Sequence, residues 1–248
     1  MIRLLEKKVA VVTGGCRGIG EAIVLKFAEN GANVAVADID VSRSAALVGE
    51  IRDFGVEAEC VRLDIADIGE IRSQCSAIVK SFGRIDIWVN NAGISQNLPI
   101  EDLEGDDWDR VLDVDLRGTF FCSQAAFRVM KSQGSGRIIN IASLAGERGG
   151  RFAGAHYSAA KAGVIVLTKC FALSGGQYNI NVNAIAPGLI QTQMAEELGI
   201  LRGEHKDIPL QRLGTPADVA STALFLASNL SDYISGMTID VNGGMFMR

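Results

Sequence analysis

Residues 8–20, Lys8-Val9-Ala10-Val11-Val12-Thr13-Gly14-Gly15-Cys16-Arg17-Gly18-Ile19-Gly20, decide the fold. An apolar, β-branched run ends in a cluster of glycines, and Glu21 to Asn30 then carries helical spacing and stops at Gly31. A strand that passes through glycine straight into a helix is the opening of a βαβ unit. Glycines there allow a tight turn and let an anion approach the free N–H groups at the helix N-terminus, where the dipole favours negative charge. The spacing, with Gly14, Gly18 and Gly20, is G-x-x-x-G-x-G rather than the commoner dinucleotide fingerprint. The strand–turn–helix context therefore carries the inference that a pyrophosphate sits at this turn.

The same alternation continues along the chain. Strand-like runs at Asn33–Ala37, Glu59–Leu63, Ile85–Val89, Arg137–Ile141, Ile180–Ile185 and Met237–Val241 are separated by helical stretches. Those stretches are Ser42 to Phe54, Ile71 to Phe82, Trp108 to Lys131, Ala155 to Leu173 and Pro216 to Ser228, the last with proline at its first turn. Near-continuous apolar strands between helices predict a Rossmann-type, doubly wound α/β fold: a parallel seven-stranded sheet with helices on both faces. No linker, repeat or low-complexity tract interrupts residues 1–248, which read as one domain.

Composition narrows the function classes. Hydrophobic residues make up 48% of the chain, enough to cover a sheet on both faces. The net charge of −5 is spread without any Lys/Arg tract, which points to a small-molecule substrate and away from nucleic acid or a membrane surface. Runs such as Gly163 to Leu167 fall short of the ~20 residues that span a bilayer, and the N-terminus lacks a signal-peptide core. Five cysteines without C-x-x-C spacing suit a reducing compartment, so a cytoplasmic location is expected. His156 and His205 have no companions that would make a metal site.

Asp38 ends the second strand, eighteen residues beyond Gly20. An acid at that position accepts hydrogen bonds from the adenosine ribose hydroxyls and repels a 2′-phosphate, each close charge pair being worth about 1–4 kcal/mol. Arg17 could meet such a phosphate, and Asp38 could instead cap a helix, although Ser42 is also placed for that. NAD is therefore expected over NADP.

His156-Tyr157-Ser158-Ala159-Ala160-Lys161 opens an otherwise apolar helix. Tyr157 and Lys161, at i and i+4, share a helix face. A free phenol, with a pKa of about 10, exchanges protons poorly at neutral pH, and a neighbouring cation favours its phenolate. Taken alone the pair is as consistent with a surface tyrosine lying along a lysine stem.

In combination these segments resemble the short-chain dehydrogenase/reductase family. The resemblance rests on Thr13 to Gly20, Asp64, Asn90-Asn91-Ala92-Gly93, Ser143, Tyr157-Ser158-Ala159-Ala160-Lys161, Pro187-Gly188 and Val241-Asn242-Gly243-Gly244, and spans essentially the whole chain. It implies that Ser143 binds the substrate oxygen, that Tyr157 exchanges the proton, and that Lys161 holds the nicotinamide ribose. It further implies cofactor contacts for Gly14, Arg17, Gly18, Ile19 and Gly20, for Asp64 and Ile65 beside the adenine, and for Asn91, Ala92 and Gly93. Pro187, Gly188, Ile190 and Thr192 would meet the carboxamide ahead of a lid at about residues 190–210. Where the family carries Asn, whose backbone carbonyl holds a water of a proton relay, this chain has Asp115. Its carbonyl is retained, so the relay is expected to survive. Family members are commonly tetramers, so a homotetramer is expected.

Weaker signals remain. Arg148 and Arg151 lie in a glycine-rich loop between Ser143 and Tyr157, where they could recognise an anionic substrate; solvated loop charges or subunit contacts are the commoner use of such arginines. His156 could touch substrate or simply pack, and Cys16 lies where a helix N-terminus could lower its pKa. The resulting expectation is an NAD-dependent oxidoreductase acting on a secondary alcohol or ketone. One alternative is an NADPH-dependent 3-oxoacyl-carrier-protein reductase, which the ending Val241 to Met245 resembles; Leu173 stands where those reductases tend to place a carrier-docking arginine. The other is a dinucleotide-sensing regulator without turnover, which would not need Ser143, Tyr157 and Lys161 together.

Overall fold

Every residue of the first strand, β1 (Val9–Thr13), is buried in the computed structural model, which describes residues 3–150, 153–199 and 204–247. With both faces covered, a strand needs no polar alternation, which is why it reads as a continuous apolar run. It leads into α1 (Gly18–Glu29), β2 (Asn33–Asp38), α2 (Ser44–Asp53), β3 (Ala58–Arg62), α3 (Ile68–Phe82) and β4 (Ile87–Asn90). The second half runs through α4 (Gly105–Leu112), α5 (Thr119–Gln133), β5 (Gly136–Ile141), α6 (Leu144–Arg148) and α7 (Ala155–Gly175). It ends with β6 (Ile180–Pro187), α8 (Gln193–Glu197), α9 (Pro216–Ala227) and β7 (Thr238–Val241).

All six strand pairings are parallel, in the order β3-β2-β1-β4-β5-β6-β7. The chain winds outward from β1 to β3, then returns to pair β4 on the other side of β1. That reversal leaves a crevice beyond the carboxyl ends of β1 and β4, the ligand position of doubly wound sheets. Ile23, Val24 and Phe27 of α1 pack with Val219, Ala223 and Leu226 of α9 on one face. Ile71 and Ile78 of α3, with Cys122, Ala126 and Met130 of α5, enclose the fully buried Trp88 on the other. Full burial of a side chain of that size contributes about 1.5–3 kcal/mol, so these layers hold the strand ends in register.

Three features differ from the sequence-based expectation. The first helix begins at Gly18, ahead of Glu21, because Arg17 is extended and acts as its N-cap residue. The stretch from Trp108 to Lys131 is not one helix: a π-helical turn, Asp113–Gly118, separates α4 from α5. An inserted π turn re-aims side chains, and such turns are frequent at functional sites; this one carries Asp115 to a position with no solvent exposure. Finally, the helical segment Ala155–Tyr178 is long and apolar enough to cross a membrane by length and composition, contrary to the expectation from short apolar runs. In the fold α7 packs one side on β6 and α6 and leaves Val166 and Leu173 exposed on another.

Candidate active site

The glycine turn is built by contact as well as by dihedral angle. Gly14 and Gly18 have φ of +62° and +59°, the left-handed region that glycine adopts without strain. A Cβ on Gly20 would lie 2.1 Å from the Gly14 carbonyl oxygen, so the third glycine exists to let helix and turn touch. The loop after β4 locks the turn from beside it. The Asn91 side-chain amide donates to the carbonyls of Thr13 (3.0 Å) and Gly14 (2.9 Å), and the Thr13 hydroxyl accepts the N–H groups of Asn91 and Ala92. Thr13 is thus a positioning residue that the glycine motif alone does not reveal. Thr192, where the expected lid begins, comes within 3.7 Å of where a Gly18 Cβ would be, so this residue reaches the turn.

Asp38 closes the cradle at the carboxyl end of β2. Its carboxylate accepts the N–H of Cys16 (3.0 Å) and of Asp40 (3.0 Å), which fixes it at the mouth of the turn. Asp40, unnoticed in the sequence, adds a second carboxylate, this one exposed; the Ser42 N–H and hydroxyl hold its pKa below the usual carboxylate range, helped by nearby Arg17. Helix N-terminus, glycine cradle and acid together fit a dinucleotide. The helix N-terminus does not lower the Cys16 pKa: burial pushes it up to about 12.

Ser143 lies just beyond β5, where its hydroxyl caps α6 by accepting the Ala145 N–H at 3.1 Å. It also hydrogen-bonds the half-buried Tyr157, the first-turn residue of α7. One turn on, Lys161 Nζ lies 5.5 Å from the Tyr157 ring centroid and donates to the Ile141 carbonyl at 3.2 Å. Strand β5 therefore supplies both the serine and the anchor for the lysine.

The principal departure from expectation is at Asp115. Its carboxylate faces the site: Oδ2 is 3.1 Å from Lys161 Nζ, and Oδ1 accepts the Ile94 N–H at 2.8 Å. The carbonyl accepts the Thr119 hydroxyl at 2.8 Å. Burial pushes the Asp115 carboxyl upward, against Lys161 and the Ile94 N–H. Burial would also depress Lys161, yet Asp115 and Tyr157 hold it above its ordinary value. We take the pair as ionic, since a neutral acid would leave the buried ammonium with only uncharged partners. Tyr157 is then raised rather than lowered: burial dominates, Asp115 adds to it, and Lys161 and Ser143 offset it only in part.

Other expected residues fall as follows. Asp64 accepts the Ala66 N–H in a local turn, and Ile65 is buried against Gly118. Gly93 packs on Asp115, and Gly188 on Asn242. Pro187 ends β6, while Ile190 turns into the core and pairs with Gly214 rather than facing the cleft. His156 is fully buried with neither ring nitrogen hydrogen-bonded, so it does not line a substrate mouth; its side chain fills the space left by Gly154. Arg148 is exposed and donates to the Met245 carbonyl at 3.2 Å, which ties α6 to the C-terminal segment. Arg151 and part of the expected lid, residues 200–203, lie outside the described residues. Among the described residues no cluster of three or more His, Cys, Asp or Glu could hold a metal ion.

A nucleotide cradle beside a Ser–Tyr–Lys cluster, at the carboxyl edge of a parallel sheet, defines a dinucleotide-linked oxidoreductase. The chain belongs to the short-chain dehydrogenase/reductase family. The family model described as enoyl-(acyl carrier protein) reductase matches residues 14–246. The chain is 43% identical over 243 residues to the 3-oxoacyl-(acyl-carrier-protein) reductase FabG of Staphylococcus aureus strain Mu50, covering 97% of this chain and 98% of that one. It is 39% identical over 243 residues to the protein of the same description from Thermotoga maritima, with the same coverage. Among solved structures, a short-chain type dehydrogenase/reductase from Mycobacterium marinum superimposes with a TM-score of 0.95 at 34% identity, covering 98% of this chain and 97% of that one. The protein is accordingly an oxidoreductase that acts on CH–OH groups with a nicotinamide cofactor.

Proposed function

We propose that the protein interconverts a 3-oxoacyl thioester and its 3-hydroxyacyl counterpart, with NAD(H) as its dinucleotide. The relatives described as 3-oxoacyl-(acyl-carrier-protein) reductases support the substrate class. The observation that carries the cofactor choice is Asp38, whose carboxylate is pinned by two backbone N–H groups at the ribose end of the cradle. A 2′-phosphate would meet that charge and Asp40 beyond it, at a cost of about 1–4 kcal/mol per close pair. Exposed Arg17 could offset one of the two, which is the feature that favours NADP(H).

In the reductive direction Ser143 donates a hydrogen bond to the ketone oxygen and holds it against Tyr157. The Tyr157 hydroxyl gives its proton to that oxygen as negative charge develops there. Lys161 stabilises the phenolate left behind, and its own charge is balanced by Asp115. The dinucleotide, when bound, supplies the hydride, and in the reverse reaction accepts it.

A second reading, a small ketone or secondary alcohol free of any carrier, is favoured by Leu173, an apolar residue where a carrier-docking arginine would be expected. A panel of acetoacetyl thioesters and small ketones, run with NADH and NADPH in parallel, separates these readings. Turnover of the thioesters at least tenfold faster with NADH is expected. A strong NADPH preference overturns the Asp38 assignment, and turnover of small ketones alone overturns the thioester assignment.

A further inference from the structure

Asp115 places a carboxylate with no solvent exposure against the wall of the cleft. A Cβ on Gly93 would lie 3.0 Å from Asp115 Oδ2 and 3.3 Å from Oδ1, so the carboxylate packs directly on that stretch of backbone with no side chain between. The groups that face it are Lys161, Tyr157 and His156 of α7 and the Ile94 N–H of the loop after β4. Lys161 is the cation of this set that touches it, and the ion pair leaves the buried cluster with no net charge. Had an amide stood at this position, the same lysine would be an uncompensated buried cation.

The two redox forms of a nicotinamide dinucleotide share every group except the ring, which is a cation when oxidised and neutral when reduced. Groups common to both cancel in the ratio of their affinities, and the fixed charge near the ring remains. In a cluster shielded from water that charge is felt across several ångströms. We infer that the Asp115 carboxylate is a specificity determinant for the redox state of the cofactor, favouring the oxidised dinucleotide relative to the reduced one. This rests on the reading of the cleft as a nicotinamide site.

Asp115→Asn, close in shape and without the charge, tests it. The substitution is made on a Tyr157→Phe background, so that no phenolate contributes to binding of the cationic ring. Dissociation constants for NAD+, NADH and ADP-ribose are measured by calorimetry on both proteins. ADP-ribose lacks the ring and reports whether the cradle is intact. The expected result is a rise of at least fivefold in the ratio of the NAD+ to the NADH dissociation constant, with ADP-ribose binding unchanged within twofold. An unchanged ratio with intact ADP-ribose binding overturns the inference. Failure of the Tyr157→Phe protein to bind any of the three ligands overturns the nicotinamide reading instead. Should Asp115→Asn lose ADP-ribose binding, Asp115→Ser must show the same rise, and its absence there equally overturns the inference.

Discussion

In the proposed reaction Tyr157 carries the proton transfer, and its neighbours decide when it can act. Its pKa is raised by burial and by Asp115. In alcohol oxidation the phenolate is the working base, so kcat/KM should climb with pH through the Tyr157 midpoint. Removing the Asp115 charge takes away one raising contribution. Asp115→Asn should therefore move that midpoint to lower pH while keeping activity within about tenfold, or roughly 1.4 kcal/mol of barrier. A pH–rate profile in the oxidative direction checks the sign, and a shift to higher pH would contradict it. The Tyr157–Lys161 pair was legible in the sequence because i and i+4 share a helix face. The Asp115–Lys161 ion pair was not, because linear spacing says nothing about a π turn that aims one residue inward. His156 shows the same limit: adjacency to Tyr157 suggested substrate contact, but the next residue on a helix points about 100° away, here into the core.

At the scale of elements, the glycine turn and the helix ends make separate predictions. Gly20→Ala would drive a Cβ to 2.1 Å from the Gly14 carbonyl, which must displace the turn. Dinucleotide affinity, measured by calorimetry, should fall at least tenfold. Helix α9 starts with a capping box, in which the Thr215 hydroxyl accepts the Asp218 N–H and the Asp218 carboxylate accepts the Thr215 N–H. Asp218 also pairs with Arg212 at 2.8 Å, and these contacts, led by Arg212, hold its carboxyl far below the usual range. A depressed folded-state pKa means that this stabilisation is present above the ordinary carboxylate pKa and is lost as pH falls below it. Asp218→Ala should thus cost about 1 kcal/mol in neutral denaturant titrations, and less at pH 3. An equal loss at both pH values would contradict the assignment. Strand identities and helix order were readable because both-face burial and 3.6-residue spacing leave plain patterns. The start of α1 was not, because it depends on the backbone angles of Arg17 and Gly18.

For the whole molecule, the parallel sheet and its switch point between β1 and β4 put every recognised element of the site on one edge. The fold class could be read from the alternation of runs alone, since short right-handed crossovers leave few alternatives. Substrate shape could not, because the sequences between Ser143 and Tyr157 and beyond β6 carry no periodic pattern from which a pocket could be read. Val166 (57% exposed) and Leu173 (86% exposed) stand seven residues apart on one face of α7. We propose that this face is covered by another copy of the chain in a homotetramer. Sedimentation should give a tetramer, and Val166→Asp combined with Leu173→Glu a smaller species; a monomeric wild type would contradict it. In the proposed reaction Tyr157 exchanges the proton of a nicotinamide-linked hydride transfer. The most direct test of that role is single-turnover reduction of an acetoacetyl thioester, followed by nicotinamide absorbance in wild type and Tyr157→Phe, with NADH affinity measured on the same samples. A fall of about 10²–10⁴ in the transfer rate is expected, with NADH affinity unchanged within threefold; transfer by Tyr157→Phe within tenfold of wild type would contradict that role.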